Sequence, residues 1–397
     1  MYCYGIDSCK GPLMNRRSAR NHLLLFILVF MLILTSAFSL PETAQAAPIA
    51  PPEEFERVEA EIQTGSAGIA TGDPYGEHSV YGWPFAVSQV GHINSSYQLY
   101  SSYPDEAYFH HGIDLLANYG TQVRTPTAGQ VVNVENYSSP SNLYWEVAIL
   151  DTEGYVWQYH HIEQTSIPQA IHYAYQDYLA DHENGGFIPA DTYLGKIVKW
   201  PVSSFGYYFH HIHLNILAAG DFYLNPIEFL DNNSHPDTQA PQIQGVGLFT
   251  GTNTLLSENT IPYGTDYSIY LRARDLYKSQ VYHLPPHRIT YKLDGSSEVH
   301  TVWDFHTLPG GSSNTAYVNS YFLPGHTRGN YQARDFYINM GFSKNGINPL
   351  PTDPGIHTID ITVYDYAGNS AVWRYVWTIT QELPRIFLPL ILADGLP

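Results

Sequence analysis

Nine of the chain's 19 histidines fall between residues 110 and 213, and seven of these stand in three clusters. The clusters read His110-His111-Gly112-Ile113-Asp114, Tyr159-His160-His161-Ile162 and His210-His211-Ile212-His213-Leu214. Imidazole nitrogens and carboxylate oxygens are the usual non-thiol ligands of Zn²⁺, and a catalytic zinc site takes three protein ligands and leaves one position open. A single His doublet is an ordinary structural feature. Three clusters in one stretch of chain, one of them with an aspartate four residues on, point to a metal centre with further histidines beside it. Thiol chemistry is excluded, because both cysteines, Cys3 and Cys9, lie within the first ten residues.

Periodicity narrows the third cluster. If Phe209–Leu217 is a strand, alternation puts His211, His213 and Asn215 on one face and His210, Ile212, Leu214 and Ile216 on the other. Two histidines on one face and a mostly apolar opposite face describe a strand that lines a cleft over a core. His211 and His213 are therefore the functional pair, with His210 structural or at the rim. The other two doublets are not resolved by alternation alone.

The elements that must carry these residues are mostly strands. Short β-branched and aromatic runs separated by Gly, Pro and Asn predict strands at Gln130–Val134, Trp145–Leu150, Tyr155–Ile162 and Phe209–Leu217. One helix is predicted near 168–183. Ile171, Ala174, Tyr175, Tyr178 and Leu179 follow helical spacing, with Pro168 at the start and Asn184-Gly185-Gly186 at the end. Beyond Asp237-Thr-Gln-Ala-Pro241 the alternation is cleaner, as in Ile269, Leu271 and Ala273. Ile359, Ile361 and Val363 lead into a turn at Asp365-Tyr-Ala-Gly-Asn369, and Ala371, Trp373, Tyr375, Trp377 and Ile379 return on one face. Such short strands with turn signals predict a β-sandwich.

The ends of the chain read differently. Lys10, Arg16, Arg17 and Arg20 precede an apolar run over Leu23–Leu40, followed by Ala44-Gln45-Ala46, the pattern of a secretory signal peptide over residues 1–46. If left uncleaved, the same run is just long enough to anchor the chain in a membrane. Residues 47–79 read as a linker or pro-segment, 80–235 as the histidine-bearing domain, 236–380 as the sandwich, and 381–397 as a short apolar tail. The whole chain of 397 residues carries 18 Lys+Arg against 37 Asp+Glu, a formal charge of −19. So acidic a chain offers no footprint for nucleic acid.

In sequence order, H-x-G-x-D, Y-x-H followed by a hydrophobic residue, and H-x-H opening a strand resemble the lysostaphin- and LytM-type zinc endopeptidases of bacterial cell walls. The resemblance runs from about Trp83 to Leu217 and includes Gly120-Thr-Gln-Val123 and Ala128-Gly129-Gln-Val-Val132. It implies a mainly β fold, an antiparallel-sheet LytM-like metallopeptidase domain. It also implies that His110, Asp114 and His213 bind Zn²⁺ and that His161 and His211 are unligated catalytic histidines. Tyr103 is the implied oxyanion-stabilising residue. Gly112 selects His110 over His111, and Tyr159 selects His161 over His160. The implied substrate is a peptidoglycan peptide or another extracellular peptide, at the cell envelope or outside the cell. A catalytically inactive peptidoglycan-binding or hydrolase-regulating protein of the same fold is the rival reading. One departure is the bulky, aromatic Trp200–Phe209 segment before H-x-H, where the family carries a Gly/Ser/Thr-rich loop. Residues 237–380, with their D-x-x-A-P and D-x-A-G-N patterns, resemble the immunoglobulin-like modules of bacterial exported proteins, which implies a role in spacing or envelope positioning.

Overall fold

The computed structural model describes residues 69–381 apart from 87, 89–91, 96–99, 103–106, 138–140, 201–202, 205–206, 209, 221, 235, 252, 277–282, 310–314, 324, 328–334 and 342–349. The expected signal peptide, most of the expected linker, the tail and Tyr103 lie outside the described residues.

The protein is mainly β, and its sheets are antiparallel except for one edge pair. The largest sheet holds nine strands among the described residues. Its main path runs His92–Ser95, Ile113–Leu116, His211–Ala218, Val156–His160, Trp145–Asp151, Gly129–Asn136 and Phe187–Ile188. The predicted strands recur with boundaries shifted by a residue or two, because alternation specifies faces better than ends. At the centre, every residue of His211–Ala218 is buried. This strand has Ile113–Leu116 on one side, with His213 opposite Asp114, and Val156–His160 on the other, with His213 opposite His160 and Asn215 opposite Gln158.

The predicted helix forms over Gln169–Ala180, entered through Pro168, whose fixed φ suits a helix start. Ile171, Ala174 and Tyr178 are buried, whereas Leu179 is 47% exposed, so the buried stripe is narrower than the spacing implied. Complete burial of Ile171 is worth roughly 1.5–3 kcal/mol. Past the C-terminus, Gly186 takes a φ of 77°, and the Gln130 amide donates to the Gly185 carbonyl at 2.7 Å, tying the helix end to the sheet.

Residues 69–79, part of the stretch expected to be a linker or pro-segment, pair with the residues that follow. Thr71 and Gly72 donate backbone bonds to Gly154, the Gly72 carbonyl accepts from Ala219, and His78 stacks on Phe229 at 3.6 Å. Their polar, Gly-rich composition concealed backbone pairing that needs no periodic side chains.

Residues 242–380 form a four-stranded sheet (Thr254–Leu255, Gln242–Thr250, Ser268–Arg274, Phe336–Asn339) and a five-stranded sheet (Thr260–Pro262, Ser370–Thr380, Gly355–Tyr364, Arg288–Leu293, His300–Asp304). Ile269, Leu271, Ala273, Ile359, Ile361 and Val363 are buried as alternation predicts. The Trp377 indole, on the last strand of the five-stranded sheet, donates at 3.1 Å to the hydroxyl of Tyr267, the residue just before the Ser268–Arg274 strand of the four-stranded one. On the last strand only Trp377 and Ile379 are buried, and Trp373 remains 39% exposed. The two regions are not strung together by a linker alone. Thr307–Pro309 pairs with Phe222–Leu224, which pairs with the central strand His211–Ala218, so the nine-stranded sheet contains a strand from beyond residue 300.

Candidate metal centre and catalytic histidines

His110 lies between strands Ala107–Phe109 and Ile113–Leu116, Asp114 lies within the second of them, and His213 faces Asp114 across the ladder. One donor atom from each comes within 4.8 Å of the others. His110 Nε2 is 3.0 Å from His213 Nδ1 and 3.3 Å from Asp114 Oδ1, and His213 Nδ1 is 3.0 Å from Asp114 Oδ1. Two tetrahedral ligands each about 2.0–2.1 Å from one zinc ion are separated by roughly 3.3 Å, so the triangle has the size and the chemistry of a zinc-binding set.

The backbone explains the glycine in the first motif. A Cβ on Gly112 would lie 2.2 Å from the Leu214 carbonyl oxygen and 2.3 Å from Asn215 Oδ1, so only glycine lets the His110 segment lie against the central strand. His111 points elsewhere and stacks on Tyr223 at 4.8 Å. Burial, reinforced by the neighbouring His110 and His213, lowers its pKa to about 3, so it stays neutral.

Electrostatics favour an ionised Asp114. Burial alone would raise its pKa, but His110 and His211 nearby, with hydrogen bonds from His110 and His213, hold it well below the usual carboxylate range. His213 is further oriented by Asn215, whose Oδ1 lies 2.8 Å from His213 Nε2. Because the Asn215 amide nitrogen donates to Gln158 Oε1 at 3.1 Å, its oxygen is the acceptor for His213. Nε2 therefore carries a proton, and Nδ1 is turned toward His110 and Asp114.

His161 is placed by a backbone feature that alternation could not foresee. The strand ends at His160, and His161 takes a φ of 67°, a left-handed conformation uncommon outside glycine. Regular alternation would turn these neighbours to opposite faces. With this break, the His160 and His161 rings both lie near His213, with centroids 5.4 and 6.3 Å away. His161 also lies 4.5 Å from His211. His161 Nδ1 is 2.8 Å from the Leu143 carbonyl oxygen, which can only accept, so Nδ1 carries the proton and Nε2 is the basic nitrogen. Burial and then the nearby His211 lower its pKa well below the usual histidine range, which keeps it neutral.

Trp200, from the aromatic segment that departs from the resemblance, packs against both of these rings, 4.7 Å from His161 and 5.0 Å from His211. Tyr144 adds a second wall at 5.4 Å from His161. His210 turns away from this group and accepts the Trp200 backbone N–H on Nδ1 at 3.0 Å.

Sequence reasoning left His160 unassigned and did not single out Glu146. The two are buried together, His160 Nε2 lying 3.3 Å from Glu146 Oε2, and Asn133 donates to Glu146 Oε1 at 2.7 Å. His160 Nε2 is also 3.4 Å from the Asn215 amide nitrogen. A buried polar row thus crosses the sheet from Asp114 through His213, Asn215 and His160 to Glu146. The period-2 register that makes His213 face Asp114 also carries this row, but only the strand order reveals it.

No protein-family model and no curated protein matches the chain. Among solved structures, it is similar to Csd3 of Helicobacter pylori at 17% identity, over 38% of this chain and 35% of that one, with a TM-score of 0.26. It is also similar to the catalytic domain of the prophage-encoded M23 protein EnpA of Enterococcus faecalis. That match has 21% identity over 37% of this chain and 95% of that domain, with a TM-score of 0.25. The chain therefore spans about a third of the length of Csd3.

Proposed function

We propose that the chain is an exported zinc metalloendopeptidase that hydrolyses peptide bonds in peptidoglycan stem peptides or cross-bridges. The observation that carries this reading is the His110–Asp114–His213 donor triangle with two further histidines, His161 and His211, beside it. Export is supported by the basic, apolar and small-residue order of residues 1–46, and the peptidoglycan substrate by the H-x-G-x-D, Y-x-H and H-x-H motifs. The domain division at residue 236 and the immunoglobulin-like character of the second region belong to the same proposal.

In this reading His110, Asp114 and His213 would hold the ion, which when bound would lower the pKa of a water to about 7 and polarise the scissile carbonyl. His211 acts as general base toward the attacking water, and His161 stabilises the developing oxyanion once its Nε2 has taken up a proton, which it then donates as a hydrogen bond. His161 is suited to this because its Nδ1 proton is committed to Leu143, so the ring cannot turn away. Trp200 and Tyr144 keep water from the flanks of the pair and so strengthen every polar contact there.

The test is elemental mass spectrometry of the purified chain together with hydrolysis of cross-linked peptidoglycan peptides. The expected result is about one zinc per chain, lost in His213→Ala, and hydrolysis lost in Asp114→Ala. A chain that takes up no zinc from added salt, or that binds peptidoglycan without cleaving it, is instead a catalytically inactive binder.

A further inference from the structure

We infer that the C-terminal sandwich completes the metal centre by bracing His110, with Phe109 as the positioning residue between them. The inference rests on the zinc reading above.

His110 lies outside the strands, one residue past Phe109 and three before Ile113, so the packing of its chain neighbours bears directly on it. Phe109 is 1% exposed, and the rings around it come from beyond residue 300: Tyr321 at 5.6 Å, Phe322 at 6.1 Å and Phe305 at 6.2 Å. Those rings are anchored in turn. Trp303 stacks on Phe305 at 4.4 Å and meets Phe322 at 5.3 Å, and Phe322 reaches Phe336 at 5.9 Å. Trp303 belongs to the five-stranded sheet and Phe336 to the four-stranded one, so Phe109 is inserted into a cluster tied to both layers.

The other flank has the same dependence. His111 stacks on Tyr223, and Tyr223 sits in a strand whose outer edge is paired by Thr307–Pro309, with Tyr223 opposite Leu308. Asn225 strengthens that junction by donating its backbone N–H to His306 and its side-chain amide to Phe305. Both neighbours of His110 thus lean on residues 303–336. Aromatic clusters of this kind are close-packed, so a lost ring leaves a void into which its neighbours relax only in part. The displacement is passed along one peptide unit to the imidazole of His110.

The test uses the full chain carrying Phe109→Ala or Phe305→Ala, with Phe109→Leu and Phe305→Leu as milder versions should the alanine variants not fold. Ile361→Ala, buried in the same core but not among the rings around Phe109, is the control for mere destabilisation. Zinc affinity is read by competition with a chromophoric chelator, and ligand geometry by the d–d spectrum of the cobalt-substituted protein. The expected result is an affinity lowered about 10–100-fold with an altered cobalt spectrum in the Phe109 and Phe305 variants, partial recovery in the leucine versions, and no change in Ile361→Ala. Wild-type affinity and spectrum in folded Phe305→Ala or Phe305→Leu protein overturn this inference alone. A wild-type chain that binds no zinc overturns the metallopeptidase reading and this inference with it.

Discussion

Asn215 accepts the Nε2 proton of His213 at 2.8 Å, from a position two residues along the same strand and on the same face. This contact keeps Nε2 protonated and turns Nδ1 toward His110 and Asp114. Replacement by leucine keeps the volume and removes the acceptor. Asn215→Leu is expected to lower zinc affinity about 10–100-fold, as loss of a partner to a ligating histidine does elsewhere. Chelator competition measures it, and an unchanged dissociation constant would show that packing alone orients His213.

Gly112→Ala forces a methyl group against the Leu214 carbonyl and Asn215. Overpacking of this kind costs about 1–3 kcal/mol, and here it also separates Ile113 from Leu214 in the ladder. The expected outcome is a lower melting temperature together with lost zinc. Calorimetry and metal analysis check it, and a variant with wild-type melting and zinc content refutes the close-approach argument.

His161 separates chemistry from metal binding. Asparagine tolerates the left-handed backbone at this position better than most residues. His161→Asn is therefore expected to keep its zinc and its melting temperature while kcat for peptide hydrolysis falls about 10²–10⁴-fold, the usual contribution of a positioned proton-transfer group. Loss of zinc in this variant would mean that His161 belongs to the ligand set.

The junction between the two regions is expected to have a stability optimum in pH. His306 is raised above its usual 6.5, chiefly by its hydrogen bond with Glu228, so its contribution is complete below 6.5 and is lost as pH rises through the raised value. His287 is lowered, chiefly by burial and against the pull of Glu228 and Asp304, so its contribution is present above 6.5 and is lost as pH falls through the lowered value. Glu228→Gln should flatten the alkaline side of a plot of melting temperature against pH. A profile identical to wild type on that side would remove His306 from the account.

In the region beyond residue 236, burial and then the nearby Asp237 and Asp365 raise the pKa of Asp275 well above its usual 3.8. The folded form therefore favours the proton. Stability from this group is complete below 3.8 and is lost as pH rises through the raised value. Asp275→Asn keeps an oxygen for the Leu276 N–H, which it accepts at 2.8 Å, and removes the charge. The variant should melt higher than wild type at pH 7 in chelator-treated buffer, and an equal or lower melting temperature there contradicts the electrostatic argument.

The histidine spacing and the strand period together placed His211, His213 and Asn215 on one face. The structure brings His213 to His110 and Asp114, a grouping that the motif resemblance and not the spacing alone implied. Alternation failed at the His160-His161 doublet, because a single residue at positive φ resets the facing of everything after it. The pairing of His160 with Glu146 was equally hidden, since it joins neighbouring strands rather than neighbouring residues. That residues 69–79, read as linker or pro-segment, pair with Gly154 was not legible, because backbone pairing leaves no mark on side-chain pattern.

By itself, then, the sequence determined which residue types stand at which period: the apolar faces, the helix over Gln169–Ala180, the glycine before Asp114 and the order of the three histidine clusters. Tertiary structure alone decided which strands lie side by side. It placed the Thr307–Pro309 strand at the edge of the sheet that carries His213 and enclosed Phe109 with rings from beyond residue 300. The physical reason is that hydrophobic period records that a face is buried, while the partner that buries it is set by shape and hydrogen-bond register between segments far apart in the chain.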